Sequence, residues 1–227
     1  MKKKYAIIVA GGSGTRMGAE IPKQFIEVKG KPILLYTLEK FYHSVPEANI
    51  IIVLPFQHHS TWNNILLNHN VSIPHSLAVG VETRFQSVKN GLDTIQDSNA
   101  LVAIHDGVRP LVNTTVILQS YDIAEKHGNA IASIKITDSV REWNQNSSRR
   151  IDREKLRLIQ TPQTFYVPLI KKAYKQPFSI DFTDDASVLE AIGEKINLFD
   201  GNSENIKITT PSDLKFLNFI FAFQKIN

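Results

Sequence analysis

The strongest constraint on the fold is a rhythm of short apolar runs alternating with helix-period segments. The runs are YAIIVA (5–10), NIIIVL (49–54), ALVAIH (100–105), NAIASIKI (129–136) and NIKI (205–208). They are rich in Ile and Val and apolar on both faces, as strands covered from two sides must be. Between them Phe85, Val88, Leu92 and Ile95 recur at i, i+3, i+7 and i+10, the stripe of one helix face. Segments 113–127 and 167–175 read the same way. The alternation predicts an α/β fold with a mostly parallel mixed sheet flanked by helices.

Two stretches depart from the rhythm. Residues 138–158 place Val140 and Trp143 before a polar turn at 144–148, followed by Arg149, Arg150 and Ile151. This predicts a β-hairpin projecting from the sheet, with a long surface loop as the alternative. Near the end, Thr210-Pro211-Ser212-Asp213 supplies an N-cap, a proline at the first helical position and an acid at N3. The helix that follows carries Leu214, Phe216, Leu217, Phe219, Ile220, Phe221 and Phe223, apolar nearly all round. Such a helix is either deeply buried or covered by another subunit. No linker forces a division, so one domain over 1–227 is expected, with the arm at about 138–158.

With 227 residues the chain can bury a sizeable core. The absence of Cys excludes disulfides and thiolate chemistry and suits a reducing, cytoplasmic compartment. No apolar run approaches the roughly 18 residues of a membrane span. The start MKKKYAIIVA imitates a signal peptide faintly, but no cleavage-like segment follows, and a buried first strand is the better reading. The formal charge of +4 comes from scattered Lys and Arg rather than a stripe, so anionic small molecules are expected and nucleic acid is not.

The chemistry is expected beyond the carboxyl ends of the strands. There AGGSGTRMGAEIPKQ (10–24) follows the first apolar run. Gly12, Gly14 and Gly18 have the wrong spacing for a dinucleotide fingerprint, and Gly18 lacks the lysine of a P-loop. Gly11, Gly12 and Gly14 still bare the backbone to a phosphate chain, and Arg16 and Lys23 add cations spaced for two phosphates. A flexible loop with two solvated cations is the bland alternative. The second rich segment is His105-Asp106-Gly107-Val108-Arg109-Pro110. Asp106 is a hard oxygen ligand suited to Mg²⁺, whereas His105 reads better as a structural residue than as a metal ligand. Asp184 and Asp185 read as acids at a helix N-terminus. There is no zinc spacing and no nucleophile elbow. The cations Arg16, Lys23, Arg84, Arg109, Arg153 and Lys207 suit phosphoryl or nucleotidyl transfer, where catalysis is mainly positioning and charge neutralisation.

A-G-G-x-G-T-R-M-G followed by P-K-Q resembles the loop of sugar- and polyol-phosphate nucleotidylyltransferases. HDGVRP (105–110), IDREKLRLIQTPQTF (151–165), TDDASVLE (183–190) and NIKITTPSDL (205–214) extend the likeness over nearly the whole chain. Together they resemble the 2-C-methyl-D-erythritol 4-phosphate cytidylyltransferases. The resemblance implies a Rossmann-like nucleotidyltransferase fold. It implies the conversion of CTP and 2-C-methyl-D-erythritol 4-phosphate to 4-diphosphocytidyl-2-C-methyl-D-erythritol and pyrophosphate, in non-mevalonate isoprenoid precursor synthesis, with Mg²⁺ or another divalent cation.

By the same resemblance, Arg16 and Lys23 are the catalytic contacts to the triphosphate, and Asp106 holds the metal. Ala10, Gly11, Glu82 and Ser87 match contacts to cytosine and ribose, with Gly12 and Gly14 on the nucleotide too. Ser139, Arg153, Thr161, Thr183 and Lys207 match positions handling the polyol phosphate. Arg109 joins that group, and Lys207 is also a nucleotide candidate. The resemblance further implies a homodimer in which the hairpin carries Ser139 and Arg153 to the partner's site. The sequence departs from the family pattern at Gly11, where Ala is common, and at Val81, where a second glycine is usual. Ser139 stands for threonine, and HDGVRP for HDAARP. A ribitol 5-phosphate cytidylyltransferase, another sugar-phosphate nucleotidylyltransferase and a non-catalytic nucleotide-binding module are the alternatives.

Overall fold

The computed structural model describes residues 2–11 and 21–223; Gly12, Gly14 and Arg16 lie outside them. In chain order the elements are β1 (Lys3–Val9), β2 (Glu27–Val28), β3 (Lys31–Pro32), α1 (Ile33–Ser44), β4 (Asn49–Pro55), α2 (His59–Asn68), β5 (Ser76–Gly80), α3 (Arg84–Asp93) and β6 (Ala100–Asp106). They continue with α4 (Thr114–His127), β7 (Asn129–Lys135), β8 (Val140–Asn144), β9 (Ser147–Ile151), β10 (Arg157–Tyr166), α5 (Val167–Ala173), α6 (Asp185–Glu190), β11 (Leu198–Asp200) and α7 (Pro211–Phe223).

The main sheet has the order β11-β7-β10-β6-β1-β4-β5. Its pairs are parallel except those of β10, which runs antiparallel to both β6 and β7. The apolar runs are strands because each must feed two cores. Ala6 and Ile8 of β1 face one side with residues of α1, α2 and α4. Ile7 faces the other side with residues of α3, α5 and α6. Because Cβ directions alternate along a strand, a run apolar on both faces satisfies both layers. Gly91 lets α3 settle close to the sheet: a methyl there would lie 3.1 Å from both Ile7 Cγ2 and Val53 Cγ2.

Three expectations are corrected, and one alternative is narrowed. Segment 205–208 is not a strand. It is tied down by isolated bonds, such as Ile208 N–H to the Val108 carbonyl at 3.0 Å, rather than by a ladder. The arm is shorter than 138–158: β8 and β9 pair only between Val140 and Ile151, and Arg157 already belongs to β10. Three strands, β5, β10 and β11, lacked a strong apolar run and were not anticipated. Of the two alternatives for helix α7, deep burial is not met: Leu217 is buried, while Phe216, Phe219 and Phe223 are exposed. Its start is as expected. Thr210 Oγ1 accepts from Asp213 N–H at 3.2 Å, and the Asp213 carboxylate accepts from Thr210 N–H at 2.8 Å, a reciprocal cap.

A candidate nucleotidyl-transfer site

The carboxyl ends of β1 and β6 lie side by side, with Val9 in register with Asp106. This brings the two rich segments of the sequence together. Ala10 N–H donates to Val53 O at 2.9 Å, and the buried Gln24 donates its Nε2 to Ala10 O at 2.9 Å. The chain is thus pinned just before and just after the glycine-rich stretch. Gly107 N–H reaches Val9 O at 2.8 Å. A methyl on Gly107 would stand 2.9 Å from Leu34 Cδ1 and 3.0 Å from Ala10 Cβ. The two strand ends therefore pack closely, and an alanine at 107 would need Leu34 to shift.

Two lobes open from this edge. The first, about 260 Å³, is lined by Ala10, Gly11, Lys23, Glu82, Ser87 and their neighbours. The second, about 250 Å³, is lined by Arg109, Gln160, Thr161, Gln163, Thr183 and Asp184. Arg84, Asp106 and Lys207 belong to both and form their common wall. Ser139 and Arg153 reach neither lobe. They are exposed at the base of the arm, where Arg153 bonds Thr137 O and pairs with Glu154. Every other described candidate is therefore gathered at one cleft.

Asp106 anchors the wall. Its Oδ2 accepts from Arg109 Nε at 3.0 Å and pairs with Lys207 Nζ at 3.2 Å; its Oδ1 has Arg84 Nε at 3.7 Å. Burial alone would push the carboxyl up, but Lys207, Arg84 and Arg109 outweigh it and hold Asp106 well below the usual range. It is an anion at any physiological pH.

His105 is not a metal ligand. Its Nε2 lies 3.1 Å from the Arg109 carbonyl, which can only accept, so Nε2 carries the proton. Nδ1 then accepts from Thr161 Oγ1 at 3.0 Å, while Thr161 Oγ1 accepts from Asp106 N–H at 3.1 Å. Both ring nitrogens are spent, and burial depresses the imidazole to about 4. Thr161 thus has its hydroxyl proton committed to His105. Ser87 is similarly occupied, accepting from Val81 N–H at 2.9 Å and donating to Val81 O at 3.1 Å. It shapes the Val81–Glu82 rim of the first lobe even without the second glycine.

Among the described residues no group of three or more His, Cys, Asp or Glu side chains could cage a metal. Among the described residues, Asp106 Oδ1 has Arg84 Nε at 3.7 Å, while Arg109 and Lys207 make their shortest contacts to Oδ2; this fits the different demand of Mg²⁺, which takes one or two carboxylates and completes its shell from substrate phosphates and water.

Sequence reasoning missed the supporting cast. Gln163 donates to Asp184 Oδ2 at 2.8 Å and accepts from Ala186 N–H at 2.9 Å, clamping the start of α6 to β10. Gln160 donates to Asn202 O at 3.0 Å and holds the segment that ends in Lys207. The glutamines of IQTPQTF were the only signal. Asp184 does cap α6, accepting from Ser187 N–H at 2.8 Å. Asp185, however, turns away to grip Arg84.

Residues 5–222 match the family profile described as IspD: 2-C-methyl-D-erythritol 4-phosphate cytidylyltransferase. A protein of that name from Bacteroides thetaiotaomicron is 48% identical over 94% of this chain and 97% of its own. One from Porphyromonas gingivalis is 43% identical over 97% and 99%. The fold is similar to the crystal structure of 4-diphosphocytidyl-2C-methyl-D-erythritol synthase from Anaerococcus prevotii. The TM-score is 0.83, with 30% identity over 97% of this chain and 96% of that one.

Proposed function

We propose a division of labour that starts from one premise: the chain belongs to the 2-C-methyl-D-erythritol 4-phosphate cytidylyltransferase family. It is a nucleotidyltransferase that joins CTP and 2-C-methyl-D-erythritol 4-phosphate into 4-diphosphocytidyl-2-C-methyl-D-erythritol with release of pyrophosphate, a step towards isoprenoid precursors. One observation carries the assignment of residues: two lobes share the wall of Arg84, Asp106 and Lys207. An anion in each lobe meets the other there.

The nucleotide takes the lobe of Ala10, Gly11, Glu82 and Ser87, with its triphosphate towards Lys23 and, from the glycine-rich segment, Gly12, Gly14 and Arg16. The polyol phosphate takes the lobe of Arg109, Thr161, Thr183 and Lys207. A phosphate monoester is largely dianionic at neutral pH, its second pKa being about 6. Its oxygen attacks the α-phosphorus of CTP, the bond to the β-phosphate oxygen breaks, and pyrophosphate leaves with that electron pair. No protein base or nucleophile is needed, which fits a neutral, fully engaged His105. The protein's task is to hold two anions against their repulsion. Lys23 and Arg16 bear on the triphosphate, and Arg109 and Lys207 on the monoester. Asp106 would hold Mg²⁺ or another divalent cation, whose charge would offset that of the triphosphate.

The working unit is a homodimer. A two-stranded hairpin is marginal in water by itself, and this one exposes Trp143. A partner's surface would cover it, with Ser139 and Arg153 serving the partner's polyol-phosphate lobe. The cytoplasm is the compartment, consistent with a chain free of Cys. No helix among the described residues is long and apolar enough to cross a membrane.

The test is pyrophosphate release by Lys23→Ala. A charge pair at 4 Å is worth about 4 kcal/mol at an effective dielectric of 20, so kcat should fall about a thousandfold with the fold intact by circular dichroism. Near-normal turnover would remove Lys23 from the mechanism.

A further inference from the structure

The buried carboxylate of Asp185 has no part in the scheme above, yet it grips Arg84, whose Nε faces Asp106 Oδ1 among the described residues. Arg84 Nη1 donates to Asp185 Oδ1 at 2.9 Å and Nη2 to Oδ2 at 2.6 Å, an end-on fork. Asp185 is held in turn: the Tyr174 hydroxyl donates to its Oδ1 at 2.6 Å, and Phe85 stacks on Tyr174 at 4.7 Å. Across the wall, Arg84 Nε stops 3.7 Å from Asp106 Oδ1. The other oxygen of Asp106 is already taken by Arg109 and Lys207. A guanidinium released by Asp185 would have Asp106 as its neighbouring carboxylate, and closing that gap would leave Asp106 no oxygen clear of a cation.

We propose that Asp185 is a positioning residue for the divalent cation: by gripping Arg84 it holds the guanidinium off Asp106 Oδ1 and keeps that oxygen open to the metal. The inference rests on the reading of Asp106 as the cation's protein ligand.

Mn²⁺ is titrated onto the full chain with CTP present and polyol phosphate absent, binding being read from water proton relaxation. Asp185→Asn should weaken Mn²⁺ binding about tenfold or more, the usual cost of losing an outer partner of a metal ligand. Arg84→Gln combined with Asp185→Asn should recover most of the loss, because no guanidinium remains to close on Asp106. This double variant should fold, since neutralising both members of a buried pair is far milder than removing one. Arg84→Lys keeps both charges but cannot make the fork, and it should show the same loss as Asp185→Asn. Unchanged Mn²⁺ binding in Asp185→Asn or in Arg84→Lys would overturn the proposal, as would a double variant no better than Asp185→Asn. Asp106→Asn separates the layers. If it binds Mn²⁺ like the parent, the metal reading falls and takes this inference with it. If it loses binding while Asp185→Asn does not, only the inference falls.

Discussion

Acidification should expose His105 as a built-in weakness of the fold. The ring is fully buried and neutral, with its pKa depressed from 6.5 to about 4 by burial. The group is a depressed histidine, so below pH 6.5 the unfolded chain binds a proton that the folded chain refuses. Its contribution to stability is whole above pH 6.5 and drains away as pH falls towards 4. The slope is about 1.4 kcal/mol per pH unit, so on the order of 3 kcal/mol is gone by pH 4.5. Typical domains have only about 5–15 kcal/mol to lose. The assay is urea unfolding at a series of pH values, followed by fluorescence of the buried Trp62. The comparison is His105→Gln, whose amide can still donate to the Arg109 carbonyl and accept from Thr161. The variant should be weaker at pH 7 but flatter between pH 6.5 and 4.5. His75, also depressed by burial, is common to both proteins and cancels in the difference. Parallel pH profiles for the two proteins would refute the claim that His105 is held neutral.

Three further outcomes follow from the geometry. Thr161→Val strands His105 Nδ1 and Asp106 N–H in a buried place and should cost about 2–4 kcal/mol, whereas Thr161→Ser should cost under about 1; urea midpoints decide, and an equal loss in both would dismiss the two-bond brace. Arg153→Ala should raise KM for the polyol phosphate about tenfold or more, the worth of a hydrogen bond to a charged group, and leave KM for CTP unchanged; an effect confined to CTP would reverse the assignment. Trp143→Asp at the exposed arm should shift the chain towards monomer in sedimentation velocity, and an unaltered distribution would remove the arm from the dimer contact.

What could be read from the sequence was whatever local pattern determines. Ile7 and Ile8 had to face opposite helical layers, so the buried parallel strands announced themselves. Thr210 and Asp213 are three residues apart and cap their helix through local bonds. Strand β10 hid because Gln160, Thr161 and Gln163 interrupt its apolar pattern, and their side chains are satisfied by distant backbone: the Asn202 carbonyl, the Asp106 N–H and the Ala186 N–H respectively. Segment 205–208 misled for the converse reason: Ile206 and Ile208 are apolar because they pack under α7, not because they pair in a sheet. In the site, Asp106 and the lysines and arginines were legible as chemistry. Their sharing was not, because Arg84 and Asp185 meet across 101 residues of sequence and nothing in either neighbourhood points to the other. Asp185 is a helix-terminal acid as expected, the first residue of α6, but that place gives no hint of the partner its carboxylate grips.

The reversed direction of β10 has a consequence for how such chains diverge. The arm's second strand ends at Ile151 and β10 begins at Arg157, so the residues that floor the second lobe follow closely on the projecting hairpin. Yet β8 and β9 pair with each other, and the β7–β10 ladder is re-registered between Ile159 and Gln163. Length added or lost at the arm's tip is absorbed before it reaches Thr161. The tip of the arm can therefore change length while Ser139 and Arg153 at its base, and the cleft beyond, keep their places.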